Sequence, residues 1–334
     1  MPDSRAAIVG LAGPALAAGE AALFRARPPA GAILFRRNVE SPAQLRALTG
    51  ALRGVLPEGA PILVDQEGGR VARLRPPRWR AHPPAAAIGA LHARDPAAGL
   101  RAAWLTGALI GLDCAGVGID TACAPVLDLR HAGAHDVVGD RSFGPDPAAV
   151  AALGRAMAEG LLAAGVIPVG KHAPGHGRAR ADSHLGLPEV DAADLSDDMQ
   201  PFAANADLPV MMTAHIRYAA LDPDRPATLS PRIVREVIRG RIGFAGLLLS
   251  DDLAMQALEG DPAMRALGAL EAGCDVALYC SGDAAGNAAV LHAVPPLSGL
   301  AAGRLEAARA TAVARRVSLD AAALAAERAG LLAA

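Results

Sequence analysis

Aromatic residues are scarce in this chain of 334 residues: phenylalanine, tyrosine and tryptophan together make up only 3% of it. Hydrophobic residues nevertheless make up 52%, and alanine dominates them, so the sequence can build a large core that must be mainly aliphatic. Net charge is also small, at −2. Because nucleic acids and anionic membranes are bound by clustered positive charge, neither is expected as a partner.

Cysteine is rare, and its spacing is uninformative about metals or disulfides. None of the four cysteines forms a CxxC pair, and each lies in an apolar run; they are Cys114, Cys123, Cys274 and Cys280. Such residues behave as small buried hydrophobic groups. We therefore expect free, buried thiols.

Long apolar runs are missing as well. No apolar stretch of 18 residues is free of breakers, so a membrane span is not expected. The N-terminal run that follows Arg5 is short and is interrupted by Gly13 and Pro14, which favours a first strand and a turn over a cleaved signal peptide. The expected location is the cytoplasm.

Short apolar runs do occur, and they alternate with alanine-rich helical stretches. Their apolar parts are continuous rather than alternating, as in strands that are covered on both faces. The eight runs are AAIVGLAG from Ala6, GAILFRRN from Gly31, PILVDQEGG from Pro61, IDTACAPVLDL from Ile119, VIPVGKHAPGHG from Val166, PVMMTAHIRY from Pro209, GLLLSDDLAM from Gly246 and CDVALYC from Cys274. The pattern predicts a single-domain (β/α)8 TIM barrel over residues 1–334, with a doubly wound sheet as the alternative. An alanine-rich helical segment is expected from about residue 297.

Helix start and stop signals lie between several of the predicted strands. Ser-Pro pairs open two helices, at Ser41 and at Ser230, with the serine as N-cap and proline at the first helical position. A third helix is predicted from near Asp146 to a C-cap at Gly165.

Polar and charged residues follow almost every predicted strand. They are Arg36, Arg37, Asn38, Asp65, Gln66, Glu67, Asp128, Lys171, His172, His215, Asp251 and Asp252. A barrel gathers the carboxyl ends of its strands on one face, where barrel active sites are found. A doubly wound sheet would gather the same residues at a crevice, so they mark the site under either fold.

The stretch KHAPGHGRARADSH, from Lys171 to His184, concentrates titratable groups in a segment whose proline and glycines exclude a regular helix. His172 and His176 are four residues apart, which on a helix would suggest zinc. The intervening breakers and the lack of a following glutamate argue against a metal site. The glycines also lack the arrangement of a phosphate-binding loop.

Sugar chemistry fits the same residues better. Cleavage of a glycosidic bond needs a carboxylate beside the anomeric carbon and a proton donor for the leaving oxygen. The SDDL segment offers the carboxylate, and His184, two residues after Asp182, offers the donor. Charged side chains could grip the hydroxyl groups by hydrogen bonds; the candidates are Asp65, Arg73, Arg141 and Lys171.

Structural alternatives exist for several of these residues. Asp251 or Asp252 could cap a helix N-terminus. Arg141 could be a turn residue that pairs with Asp140, and His215 could be a hydrogen-bonded core histidine instead of lining a pocket. The concentration of such residues at successive strand ends favours the functional interpretation.

The motifs together resemble those of a known family. ILFRRN, VDQEGGRVARL, APVLDL, GDRSFG, GKHAPGHG, ADSH, TAHIRY and LLLSDDLAM occur in the order found in family 3 glycoside hydrolases, from about residue 6 to residue 295. The histidine loop is similar to that of the bacterial β-N-acetylglucosaminidases of cell-wall recycling and is absent from the β-glucosidases of the family. Ala173 replaces a phenylalanine that is usual there.

This resemblance implies a two-step, retaining hydrolysis without a metal or other cofactor. Asp251 would be the nucleophile, and His184 would be the acid and base, with Asp182 as its partner. The sugar would be bound by Asp65, Arg73, Arg141, Lys171 and His172. The implied substrate is a terminal N-acetylglucosamine linked to 1,6-anhydro-N-acetylmuramic acid, with or without a peptide. A phosphorylase acting at the same site and a non-catalytic sugar-binding barrel are the rival hypotheses.

Overall fold

Eight parallel strands close into a barrel in the computed structural model, which describes residues 4–181 and 186–333. The strands are β1 (Arg5–Gly10), β2 (Pro29–Leu34), β3 (Ile62–Val64), β4 (Thr121–Ala122), β5 (Ile167–Ala173), β6 (Val210–Thr213), β7 (Leu247–Asp252) and β8 (Val276–Tyr279). Each pairs with the next along the chain, and β8 closes the barrel on β1, with Ala277 opposite Ala7. All eight predicted strands are confirmed, and the doubly wound alternative is wrong.

Helices surround the barrel. In the part of the chain that is described, the α-helices are α1 (Ala18–Ala26), α2 (Pro42–Arg53), α3 (Ala85–Arg94), α4 (Pro96–Ala115), α5 (Pro147–Ala163), α6 (Ser196–Ala203), α7 (Pro262–Ala272), α8 (Ala284–Ala293), α9 (Gly299–Arg315) and α10 (Ala321–Ala333). A π-helical segment, Ile233–Arg241, follows β6, and two short strands, Glu189–Val190 and Arg217–Tyr218, pair outside the barrel. Over residues 4–181 and 186–333, no helix has the length and hydropathy needed to cross a membrane.

The predicted caps are present. The Ser41 hydroxyl accepts a hydrogen bond from the backbone N–H of Gln44 at 3.2 Å, and the Asp146 carboxylate accepts one from Ala148 at 2.9 Å. The Ser230 hydroxyl accepts from Ile233 at 3.0 Å, but the turn that it opens continues as π-helix. Gly165, with φ of 79°, lies one residue beyond the C-cap Ala164, so the predicted stop is displaced by one position.

Two layers of apolar side chains form the core. Residues such as Ile8, Leu63 and Leu249 fill the inside of the barrel, whereas their strand neighbours pack outward against the helices. Leu305 of α9 belongs to the inner cluster, so α9 covers the end of the barrel opposite the polar strand ends. Full burial of one such aliphatic side chain stabilises a fold by about 1.5–3 kcal/mol. The carboxyl ends of the strands are thereby left as the open face.

The expectation of free cysteines is confirmed. All four are reduced and buried in the core, and burial raises the pKa of each thiol. They therefore act as hydrophobic packing groups.

Candidate active site

A cavity opens where the strands end, and it contains about 620 Å³ of non-atom space, part of it open to solvent. Six predicted site residues line it: Asp65, Arg73, Arg141, Lys171, His172 and Asp251. Ile33, Phe35, Met212, Met255 and Leu278 add apolar surface. The mixture of apolar walls and convergent charges is typical of small-molecule sites.

Asp65 and Lys171 form the charged floor of the cavity. Lys171 on β5 donates from Nζ to Asp65 Oδ1 at 2.7 Å and approaches Glu67 Oε1 at 2.6 Å, while Arg73 donates to Asp65 Oδ2 at 3.0 Å. Burial alone would raise the pKa of Asp65, but the charges of Lys171 and Arg73 outweigh it and hold that pKa well below its usual value. Burial likewise opposes the charge of Lys171, yet the two carboxylates raise its pKa above the usual value. Asp65 and Lys171 are therefore both charged at neutral pH.

Arg141 is held by Glu67, a strand-end carboxylate for which the sequence predicted no individual role. Its guanidinium donates to both oxygens of Glu67, each at 2.8 Å, and its Nη2 lies 3.5 Å from His172 Nε2. Burial opposes ionisation of Glu67, but Arg141 and Lys171 outweigh it and lower the pKa of that carboxyl. Asp140 binds Arg70 instead, at 2.8 Å. The alternative that Arg141 is a turn residue paired with Asp140 is therefore wrong.

Asp128 orients the histidine loop from beneath. Its Oδ2 lies 2.7 Å from His172 Nδ1, and its Oδ1 accepts from the backbone N–H groups of His172 and His176 at 3.2 and 2.7 Å. Burial would raise the pKa of Asp128, but the imidazole of His172 and these hydrogen bonds outweigh it and lower the pKa to about 2. Because the ionised carboxylate accepts a hydrogen bond from Nδ1–H of His172, Nε2 of this ring, which lines the cavity, remains available to a ligand.

His176 also lines the cavity, although it was not among the predicted site residues. Its ring meets that of His172 edge-on at a centroid distance of 5.6 Å. Burial, with the neighbouring imidazole of His172, lowers the pKa of His176 to about 4. His176 is therefore neutral at physiological pH and adds no charge beside Arg141.

Asp251 lies at the end of β7 with its carboxylate in the cavity. Its backbone N–H donates to Thr213 Oγ1 at 3.2 Å, and the N–H of Asp252 donates to Asp251 Oδ1 at 2.8 Å. Burial alone would raise the pKa of Asp251, but the imidazoles of His215 and His172 and the Asp252 N–H outweigh it and lower that pKa. Asp251 is thus an ionised carboxylate in a sheltered position.

Asp252 contrasts with its neighbour. Its Oδ1 accepts from the backbone N–H groups of Ala254 and Cys280, at 2.8 and 2.9 Å, and burial raises its pKa. Of Asp251 and Asp252, both considered as possible caps, Asp252 therefore has the capping role. It stabilises a turn rather than a helix, because no helix begins there.

The hypothesis that His215 lines the pocket is wrong. His215 is fully buried, with Nδ1 at 2.8 Å from Thr228 Oγ1 and Nε2 at 2.9 Å from the Asp252 carbonyl oxygen. Both nitrogens are thus used inside the protein, behind Asp251. The core-histidine alternative describes it, and its influence on the site is electrostatic.

Asp182 and His184, the predicted acid–base pair, lie outside the described residues. The chain that leads toward them is fixed: Tyr218 donates from its hydroxyl to the Gly175 carbonyl oxygen at 2.8 Å. Gly177 approaches the backbone so closely that a Cβ there would lie 2.1 Å from the Leu129 carbonyl oxygen. This position therefore requires glycine.

The sequence predicted no individual role for three residues of the site: His176, which lines the cavity, and Glu67 and Asp128, which bind residues that line it. The sequence did contain a signal for Glu67 and Asp128, because both follow predicted strands. Their partners are distant in sequence, so the individual roles of Glu67 and Asp128 could not be predicted. Among the residues described, no three histidine, cysteine, aspartate or glutamate side chains are arranged to hold a metal ion.

Comparison with known proteins gives consistent results. The model of the glycosyl hydrolase family 3 N-terminal domain matches residues 16–318. A curated beta-hexosaminidase of Alkalilimnicola ehrlichii is 42% identical over 296 residues, covering 86% of this chain and 84% of the relative. A beta-hexosaminidase of Methylococcus capsulatus is 43% identical over 293 residues, covering 85% of each.

A solved structure shows the same architecture. NagZ from Neisseria gonorrhoeae, in complex with N-trifluoroacetyl-D-glucosamine, superposes with a TM-score of 0.87 at 32% identity, covering 99% of this chain and 100% of that one. The chain belongs to glycosyl hydrolase family 3 and is a glycosidase, as its curated relatives named beta-hexosaminidase are.

Proposed function

We propose that this protein is a retaining β-N-acetylglucosaminidase that removes terminal, non-reducing N-acetylglucosamine from peptidoglycan fragments in the cytoplasm. In the first step, a carboxylate oxygen of Asp251 attacks the anomeric carbon while His184 protonates the leaving oxygen. A covalent glycosyl-enzyme forms. In the second step, water attacks that carbon as His184 takes its proton, and Asp251 is released.

The observation that carries the proposal is the position of Asp251 at the end of β7, where it lines the cavity. One of its oxygens accepts from the Asp252 N–H. Its pKa is lowered despite burial, so it is anionic without needing a base to activate it. The aliphatic wall beneath β7 fixes its backbone, which favours a reproducible attack geometry.

The role of His184 rests on the ADSH motif. A carboxylate partner two residues before a histidine favours the imidazolium form that can donate a proton. A histidine in this role also avoids placing a second anion beside Asp251, which many retaining glycosidases must accommodate.

Recognition of the sugar is assigned to the charged floor and to His172. Asp65 presents an anionic acceptor, and Lys171 and Arg141 present donors, all held by ion pairs. Charged groups of this kind form the stronger hydrogen bonds to hydroxyls. The names of the relatives and the amino-sugar derivative bound by the Neisseria protein support an acetamido sugar as the ligand.

The first test compares release of nitrophenol from the aryl β-N-acetylglucosaminide and from the aryl β-glucoside, with wild type and Asp251→Ala. Turnover of the acetamido sugar alone, lost in the variant, is expected. Equal turnover of both sugars would contradict the substrate assignment, and activity with neither sugar in a folded preparation would favour a sugar-binding barrel.

A second test adds phosphate to the reaction and asks whether water or phosphate is the acceptor. Hydrolysis requires an unchanged rate and free N-acetylglucosamine as product whether or not phosphate is present. Formation of the sugar 1-phosphate would show that phosphate, rather than water, is the acceptor.

A further inference from the structure

The C-terminal helix α10 carries a buried charge far from the active-site chemistry. Arg328 is only 7% exposed, although the helix lies on the outside of the barrel against α3 and α4. The segment matched by the family model ends at residue 318, before α10 begins at Ala321. A buried arginine needs partners, because an unpaired buried charge is strongly destabilising.

Those partners belong to the long connection between β3 and α3. Arg328 donates from Nη1 to His82 Nδ1 at 2.9 Å and from Nη2 to the Ala81 carbonyl oxygen at 2.9 Å. On the other side of the ring, His82 Nε2 lies 3.0 Å from Asp113 Oδ2 of α4, and Arg80 binds the second oxygen of that carboxylate. The contacts define a neutral His82 with its proton on Nε2.

The charges around His82 agree with this state. Burial, together with the positive charges of Arg328 and Arg80, keeps the pKa of His82 below its usual value against the opposing effect of Asp113. His82 therefore joins a guanidinium to a carboxylate without being charged itself.

The segment that contains His82 supports the wall of the active site. The Gly69 N–H donates to the His82 carbonyl oxygen at 3.0 Å. Gly68 lies so close to Pro83 that a Cβ on Gly68 would be 2.3 Å from the Pro83 carbonyl oxygen. Gly68 directly follows Glu67, which holds Arg141 and Lys171 in the cavity.

The rest of this loop is tied to the same support. The side chain of Gln66 accepts from the backbone N–H groups of Arg73 and Leu74, at 2.7 and 3.0 Å. Arg73 then reaches Asp65. Residues 66–74 therefore connect the His82 segment to Asp65 and Arg73, which line the cavity.

We propose that Arg328 is a positioning residue for sugar binding. Through His82 it holds the 67–73 loop against the cavity, so that a helix outside the matched family segment sets the affinity of the site. The choice of ligand rests on the proposed function. The positioning itself rests only on the contacts above.

The test uses the full chain with Arg328→Met, and with Glu327→Ala as the matched control. Glu327 is the preceding residue of α10 and pairs with Arg101 at the surface, each side chain being 42% exposed. The dissociation constant of N-acetylglucosamine and the KM of its aryl glycoside should rise about tenfold in Arg328→Met, within the range typical of coupling through packed contacts. In the control both should stay within about twofold, as for a surface ion pair.

The split between KM and kcat separates positioning from general destabilisation. Asp251 is held by β6 and β7, apart from the 67–73 loop, so kcat at saturation should change little in folded Arg328→Met. A lower unfolding temperature with unchanged sugar affinity would overturn the proposal. Arg328→Lys, which keeps the charge but has a different donor geometry, should give intermediate affinity and serves if the methionine variant does not fold.

Hydrogen exchange gives a readout that does not depend on the ligand. The backbone amides of Gly69, Val71 and Arg73 should exchange faster in Arg328→Met than in wild type or Glu327→Ala. Unchanged exchange would also overturn the positioning role. If wild type fails to bind N-acetylglucosamine while these amides respond to Arg328→Met, the proposed function is wrong and the positioning role stands.

Discussion

Asp65 and Asp251 face the same cavity, yet the protein holds their carboxylates in different ways. Asp65 accepts hydrogen bonds from Lys171 and Arg73, one on each carboxylate oxygen. Asp251 accepts a hydrogen bond from the backbone N–H of Asp252 on one oxygen. Both are ionised, the first because two cations surround it and the second mainly because imidazoles lie nearby. A carboxylate that binds a hydroxyl benefits from being locked in place. A carboxylate that must form a covalent bond needs an accessible lone pair.

Substitution of these two aspartates should separate chemistry from binding most strongly. Asp251→Asn should lower kcat by about 10⁴-fold, because an amide cannot form the glycosyl-enzyme. Asp65→Asn should instead raise KM by about ten- to a hundredfold, the cost of weakening a charged hydrogen bond, with a smaller effect on kcat. Steady-state kinetics with the aryl glycoside measure both. If Asp65→Asn reduced kcat as much as Asp251→Asn did, the division of roles would be incorrect.

Arg141 and Arg70 provide the next comparison, because each pairs with a carboxylate in the same region. The Arg141 and Glu67 side chains are 12% and 5% exposed, whereas those of Arg70 and Asp140 are 44% and 43% exposed. Arg141→Met should lower the free energy of unfolding by about 3 kcal/mol and weaken sugar binding, since Glu67 loses its main partner inside the protein. Arg70→Met should cost less than about 1 kcal/mol.

Urea denaturation of both variants tests this difference. Lys171 remains beside Glu67 at 2.6 Å, so Arg141→Met should still fold. Similar losses of stability in the two variants would show that burial does not distinguish these pairs.

The smallest effect concerns pH. The pKa of His176 is about 4 in the folded protein against an ordinary value of 6.5, so between these values the unfolded chain binds a proton that the folded chain does not. Stability must therefore fall as the pH drops from 6.5 toward 4, with at most about 3 kcal/mol lost through this residue. In His176→Gln that contribution disappears.

Denaturation of wild type and His176→Gln at pH 7 and pH 4.5 measures it. The stability advantage of wild type should be smaller at the lower pH. A constant difference between the two proteins across that interval would mean that His176 is not kept neutral by folding.

The sequence predicted the barrel because the strands are continuous apolar runs and the polar residues after them mark one face. Ser41 and Asp146 were identifiable as caps because capping depends on residues close together in sequence. Pairings across the fold were not predictable. Glu67 and Arg141 are 74 residues apart in sequence, and nothing local distinguishes Glu67 from other strand-end carboxylates.

His215 and Arg328 also have environments that the sequence did not predict. His215 resembled a pocket residue because it follows a strand, but its partners Thr228 and the Asp252 backbone use both ring nitrogens. Arg328 lies in the alanine-rich helical segment, for which the sequence predicted no role, but it is buried against His82. In both cases the environment, and not the residue type, determines the role.

Azide rescue of Asp251→Ala shows directly whether Asp251 forms a bond to the sugar. With a good aryl leaving group, azide should fill the space left by the carboxylate, restore turnover in proportion to its concentration and give the α-glycosyl azide, with inverted configuration at the anomeric carbon. Asp251→Ala should give this product, and wild type and Asp65→Ala should not. A β-glycosyl azide, or no rescue by azide in a folded variant that still binds N-acetylglucosamine, would show that Asp251 is not the nucleophile.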